Sequence, residues 1–299
     1  MGYYLVDSGY IPLDKSWTIR MGVLDLLSGS QKFYEDCMGF LASNHSAMND
    51  DTMSLERALL AWKYGGIVDV DQSATLYRCL WMASLTLGLP RIFIMRGTLL
   101  DRFRKGMITD DPKIAGYTQR ELLQLKERTS QWATAKVLLG DEERLEDAPY
   151  KLKLTYEAVS HWKQRRSEGG VWEPRHDKTI LGQAESFLQR LHEGEMDFKP
   201  EQAEDYCFAR AFGIITPEEG EARWPSLRGH ESDRIEEMER ALGSAEIDSR
   251  DHRVVQAVSM RRKADGYEAK VGHPEAVNKS WPQFWRFLED SPQLAEDNL

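Results

Sequence analysis

The sequence predicts an α+β protein of two domains, with mixed sheets and helices and an internally repeated fold. Three observations carry this. Short β-branched runs alternate with helix-period segments, but without the regular rhythm of a doubly wound sheet. A lysine-hydroxyl-tryptophan sequence occurs twice, as Asp14-Lys15-Ser16-Trp17 and as Asn278-Lys279-Ser280-Trp281. The chain has 299 residues, enough for a large core and a natural length for two domains.

Each element follows from local pattern. Tyr3–Val6 reads as a strand. Ser16–Leu27 is a helix, with Ile19, Val23, Leu24 and Leu27 on one face and Gly29 as its stop. Ile67–Val70 is a strand, and Gln72-Ser73-Ala74-Thr75 leads into a helix over Leu76–Leu87, closed by Gly88 and Pro90. Arg91–Met95 is the next strand. Thr129-Ser130-Gln131 precedes a helix over Trp132–Leu139. The alternation in Lys151–Thr155 reads as a strand running into a helix over Tyr156–Arg165. Ser167 to Arg175, with its Gly169-Gly170 pair, is the loop or linker. Later helices begin near Asp205, Arg234 and Arg253, a last one covers Pro282–Leu288, and the polar tail Asp290–Leu299 is expected to fray.

Composition removes several function classes. The formal net charge is −10, and the short basic runs Arg165-Arg166 and Arg261-Arg262-Lys263 are flanked by acids, which argues against a nucleic-acid surface. No apolar run is long enough to cross a membrane, and Met1–Leu13 has no signal-peptide pattern. Three scattered cysteines, Cys37, Cys79 and Cys207, form no disulfide framework or metal spacing. A soluble cytoplasmic protein is the expectation. His192-Glu193-Gly194-Glu195 reads as a solvated helix end, so no metal site is expected, and no phosphate loop, dinucleotide fingerprint or nucleophile elbow is present.

What remains is a series of polar clusters at helix starts. Serine, threonine, aspartate and asparagine are ordinary caps there. Cations are not, because they oppose the positive end of the helix dipole. Yet Lys15 and Arg20, Arg78, Arg234, Arg253 and Lys279 accompany nearly every cap. Many cations at helix starts imply an anionic ligand with more than one charged group.

Taken in order, these pieces resemble 5-enolpyruvylshikimate-3-phosphate synthases. Lys15-Ser16 with Arg20 resembles the family's first phosphate-binding helix. Asp69 to Arg78 resembles its glycine-containing loop, and Leu100-Asp101-Arg102 the arginine after the next strand. Thr129-Ser130-Gln131, Asp205, Glu231-Ser232-Asp233-Arg234, Asp251-His252-Arg253 and Val277-Asn278-Lys279-Ser280-Trp281-Pro282 resemble the remaining motifs. The fold implied by the resemblance is a two-domain inside-out α/β barrel of repeated βαβαββ units, with some outer elements missing because this chain is shorter than family members. The domains would be 14–177 and 1–13 plus 178–299, with the active site in the cleft between them.

The implied reaction moves the enolpyruvyl group of phosphoenolpyruvate to the 5-hydroxyl of shikimate 3-phosphate and releases phosphate, in the pathway to chorismate and the aromatic amino acids. The resemblance makes Glu231 the proton donor to the methylene, Asp205 the partner of the hydroxyl and Lys15 an aid to proton transfer. Lys15, Ala74, Arg102, Gln131, Arg234, Arg253 and Lys279 would hold phosphoenolpyruvate. Ser16, Arg20, Thr129, Ser130, Gln131, Asp205 and His230 would hold shikimate 3-phosphate. No cofactor, metal, nucleic acid or membrane partner is implied, and a monomer is expected. Ala74 stands where sensitive members carry glycine, so reduced sensitivity to glyphosate is expected. His230 replaces a usual lysine and Ala148 a serine, which favours one alternative, a transferase acting on another phosphorylated cyclic acceptor; the other, an inactive descendant that binds anions, is opposed by the presence of Glu231, Asp205, Lys15 and Lys279 together.

Overall fold

The computed structural model describes residues 6–127, 129–228 and 233–297. It corrects the expected fold class. The described residues are 63% helical and 5% strand, with the strands in two small two-stranded sheets, so this is a mostly helical protein and not an inside-out α/β barrel. It divides into two compact units, Asp14–Arg175 and Met1–Leu13 with His176–Leu299.

The Asp14–Arg175 unit contains α1 (Lys15–Leu27), α2 (Gln31–Ser43), α3 (Asp50–Lys63), β1 (Val68–Asp71), α4 (Ala74–Thr86), β2 (Phe93–Met95), α5 (Gly97–Arg104), α6 (Gln119–Leu123), α7 (Gln131–Leu138) and α8 (Tyr150–Glu168). Asp14 caps α1 by accepting from the Trp17 amide at 3.1 Å. α1 is central: Trp17, Ile19, Val23 and Leu24 are buried, and it packs against α2, α3 and α8. β1 and β2 run parallel with α4 as the crossover, as a parallel pair requires. Val68 and Val70 point into the core and Tyr77 of α4 meets the Phe93 ring edge-on.

The sequence misplaced several elements here. Lys151–Thr155 is the first turn of α8 and not a strand. Leu152, Thr155, Ala158 and Trp162 recur at helical spacing, and that longer period outweighs five alternating residues. β1 keeps the expected length of four residues, one position later than expected, while β2 is shorter than the expected Arg91–Met95. Gly97, at φ +47°, ends β2 and starts α5, so the chain turns back to helix after three residues.

The second unit contains α9 (Lys178–Glu193), α10 (Tyr206–Ala211), α11 (Pro217–Arg223), α12 (Arg234–Gly243), β3 (Glu246–Ile247), α13 (His252–Ala264), β4 (Lys270–Val271) and α14 (Phe284–Asp297). Its core joins Phe187, Phe208, Met238, Val255, Trp281 and Phe287. The N-terminal segment belongs to it: Ile11 and Leu13 are buried, Trp281 Nε1 donates to the Tyr10 carbonyl at 2.7 Å and Asp177 N to the Pro12 carbonyl at 3.0 Å. β3 and β4 are again parallel, with α13 as the crossover. Both units therefore carry one strand-helix-strand element, and α4 and α13 are each 13 residues long.

Two further expectations change. Lys279 closes a short 3-10 helix, Pro274–Lys279, so the second lysine-serine-tryptophan sequence does not open a helix. The segment expected to fray is helical as far as Asp297. Of the expected strand Tyr3–Val6, residues 3–5 lie outside the described residues, and Val6 is not in a strand. Cys37, Cys79 and Cys207 are buried free thiols, and burial pushes Cys79 up to about 11 and Cys207 up to about 12. Among the described residues no helix is long and apolar enough to cross a membrane.

Candidate functional site

The first turn of α1 and the start of α8 form one polar cluster. A long helical side chain leans back toward the N-terminus, so Arg20 reaches the turn that begins α1. Its guanidinium is 1% exposed and donates to the Ser16 carbonyl at 2.6 Å, the Lys151 carbonyl at 3.0 Å and Thr155 Oγ1 at 2.8 Å. All three acceptors are neutral, and among the described residues no carboxylate lies within ion-pairing distance. Burial pushes the Arg20 pKa down, and the negative charge of Asp14, beyond ion-pairing distance, opposes that only in part. Lys151 Nζ lies 3.4 Å from Ser16 Oγ, bringing a second cation to the turn. Lys15 is directed elsewhere and pairs with Asp51 at 3.0 Å.

A second cluster joins α4, α7 and the loop before α7. Arg78 is 1% exposed and pairs with Glu127 at 2.8 Å. It also donates to Gln131 Oε1 and, at 3.3 Å, to the carbonyl of Ala74, the first residue of α4. Glu127 accepts from Trp132 Nε1 at 3.0 Å and from the Thr109 amide. Thr129 Oγ1 accepts from the Gln131 amide at 3.3 Å, while Ser130 is the N-cap of α7 without a side-chain capping bond. Arg102 is buried on α5, close enough to Arg78 to oppose its charge. Arg78 thus joins Ala74, Gln131 and Glu127 at one place.

The second unit gathers Arg234, Asp251 and Arg253. Arg234 Nε donates to Asp251 Oδ2 at 2.8 Å, and the Asp251 carboxylate caps α13 through the Arg253 amide at 2.9 Å. Burial works against the charge on Asp251. The Arg234 guanidinium, with His252 and Arg253 behind it, overcomes that and holds the carboxyl well below the usual carboxylate range. Arg253 Nη2 lies 4.0 Å from Glu204 and its Nη1 lies 3.2 Å from His252 Nε2. Lys279 lies on the segment packed against α13, next to Ser280, whose hydroxyl accepts from Gln256 at 3.1 Å.

Asp205, expected as the partner of a substrate hydroxyl, is held by donors of the protein itself. It is buried, and its carboxylate accepts from the Glu201 and Gln202 amides at 2.9 and 3.1 Å and from Gln183 Nε2 at 3.2 Å. Burial raises its pKa, opposed by those three donors. His230 and Glu231 lie outside the described residues.

Compared with protein-family models, curated proteins and solved structures, the chain matches none. The site therefore rests on its own geometry. Three participants were not singled out in the sequence: Glu127, Lys151 and Thr155. Glu127 stands two residues before Thr129, and Lys151 and Thr155 carry the i, i+4 spacing of one helix face, which a helical reading of that segment would have exposed. Among the described residues no histidine, cysteine and carboxylate group could hold a metal ion.

Proposed function

We propose that this chain binds a small organic acid carrying a phosphate group, with the phosphate at the first turn of α1 beside Ser16, Arg20 and Lys151. The observation that carries the reading is Arg20, a fully buried guanidinium whose partners among the described residues are all neutral oxygens. An uncompensated buried charge costs several kcal/mol, and a bound anion offsets that cost. The dipole and amides at the start of α1 act in the same direction.

The reaction best supported by the ordered motifs is transfer of the enolpyruvyl group of phosphoenolpyruvate to the 5-hydroxyl of shikimate 3-phosphate, with release of phosphate. The resemblance assigns Arg234 and Arg253 to phosphoenolpyruvate and Glu231 to the proton on its methylene carbon. A second reading, anion binding without turnover, is favoured by Asp205, whose carboxylate is already held by three donors as a cap.

Calorimetry with shikimate 3-phosphate and a phosphate-release assay with both substrates separate these readings. Binding that Arg20→Gln weakens at least tenfold supports the phosphate site. Phosphate release that needs both substrates, with a product heavier by an enolpyruvyl group, supports the transferase. Binding without release leaves the second reading, and no binding of either ligand overturns both.

A further inference from the structure

We propose that the Asp14–Arg175 unit holds a second ligand site, for a small carboxylic acid with an apolar body, in the cavity formed by the C-terminal ends of α1 and α7 and the middle of α8. The cavity has a volume of about 430 Å³, within the size range of small-molecule sites. Leu24 and Leu27 of α1, Val137 and Leu138 of α7, and Val159 and Trp162 of α8 supply its apolar lining.

Five charged residues also line it, and their pairing decides the ligand. Lys163 and Glu142 pair with each other at 2.7 Å. Asp141 accepts from Gln119 Nε2 at 3.2 Å and from the Glu143 amide at 3.0 Å. Arg144 and Arg166 are different. Arg144 donates to Ser160 Oγ at 2.7 Å and lies over the Tyr156 ring, 5.8 Å from its centre. Arg166 lies 5.3 Å from the centre of the Trp162 ring and 5.9 Å from that of Phe33. Among the described residues neither has a carboxylate at ion-pairing distance. The cation–π contacts hold the two guanidinium groups beside the cavity, with N–H donors left for an acid.

The larger cavity of the second unit, about 630 Å³, lacks this combination. There Arg210 pairs with Glu239 and Arg261 with Asp265, and Arg262 donates to the carbonyls of Ala241, Ser244 and Ala245. The site proposed here also differs from the phosphate site. It lies at the opposite end of α1, whose 13 residues span about 20 Å.

The test uses 1-naphthoate as the probe and the uncharged 1-naphthalenemethanol as its control, by calorimetry on the full chain. Saturable one-to-one binding of the acid is expected, at least tenfold tighter than the alcohol. Arg144→Gln and Arg166→Gln should each weaken the acid about tenfold and leave the alcohol unchanged. Both arginines are exposed, so the circular dichroism spectra should be unaltered. Shikimate 3-phosphate should not displace the probe. Equal binding of acid and alcohol, undiminished acid binding by the double variant, or no saturable binding of the acid would overturn the proposal.

Discussion

Arg20 and Arg78 are both 1% exposed, but their surroundings differ. Arg78 has a buried carboxylate partner in Glu127, which also holds Trp132 and the Thr109 amide. Removing one member of a buried pair is costly because the other charge stays in the interior. Glu127→Gln should therefore destabilise the Asp14–Arg175 unit by about 3 kcal/mol in urea unfolding. Replacing both residues, as Arg78→Met with Glu127→Gln, which keeps an acceptor for Trp132 and the Thr109 amide, should recover part of that loss. A double variant no more stable than Glu127→Gln would show that charge is not the cause. Asp251 permits a prediction in pH. Its folded-state pKa is depressed, so its contribution is complete above the unfolded value of about 3.9 and is lost as pH falls below it. Thermal melts from about pH 6 to about pH 3 should show the second unit losing stability on the acid side. Asp251→Asn should flatten that limb. An unchanged limb in the variant would place the acid sensitivity elsewhere.

At the scale of elements, helices were more legible in the sequence than strands. α1, α4 and α7 combine a polar start, an apolar face of helical period and a glycine stop (Gly29, Gly88 and Gly140), and they stand within a residue or two of their expected bounds. The strands depended on runs of five or fewer residues, where a period of two is easily imitated. Lys151–Thr155 imitates it and is helix. The barrel was wrongly expected, because motif order carries the identity of side chains at helix starts and no information on whether the intervening residues pair as strands. The site was legible in part for the same reason. Ser16 with Arg20, and Ala74 and Gln131 around Arg78, come together because each pair spans one helix start or one helix contact. Lys15 and Asp205 take local carboxylate and capping partners that no spacing announces. Packing between elements gives a third prediction. Gly220 of α11 faces the buried Tyr206 ring of α10, and a methyl group there would fall on ring carbons Cε2 and Cδ2. Gly220→Ala should cost about 1–3 kcal/mol, as overpacking does, although alanine is the better helix former. A variant as stable as wild type would mean that α11 is free to move away from Tyr206.

The whole molecule raises a question of covalent order. One unit is a single uninterrupted stretch, Asp14–Arg175, while the other is assembled from both chain ends. The short N-terminal piece contributes Ile11 and Leu13 to the interior, the Tyr10 carbonyl to Trp281 and the Ile11 carbonyl to His176 Nδ1 at 2.9 Å. Its Tyr10 hydroxyl donates to Asp290 at 2.8 Å, which ties it to α14 as well. Deleting residues 1–13 should thus remove buried apolar side chains and strand the Trp281 N–H, a loss of several kcal/mol confined to one unit. The Asp14–Arg175 stretch loses none of its own core by that deletion and should keep a cooperative transition when expressed alone. Urea unfolding followed by circular dichroism should show one transition shifted to lower denaturant in the deletion variant, with the other matching that of the isolated 14–175 fragment. If the isolated fragment unfolds without cooperativity, the unit boundaries describe proximity in space and not independent folding. If the deletion moves both transitions equally, the two units unfold as one.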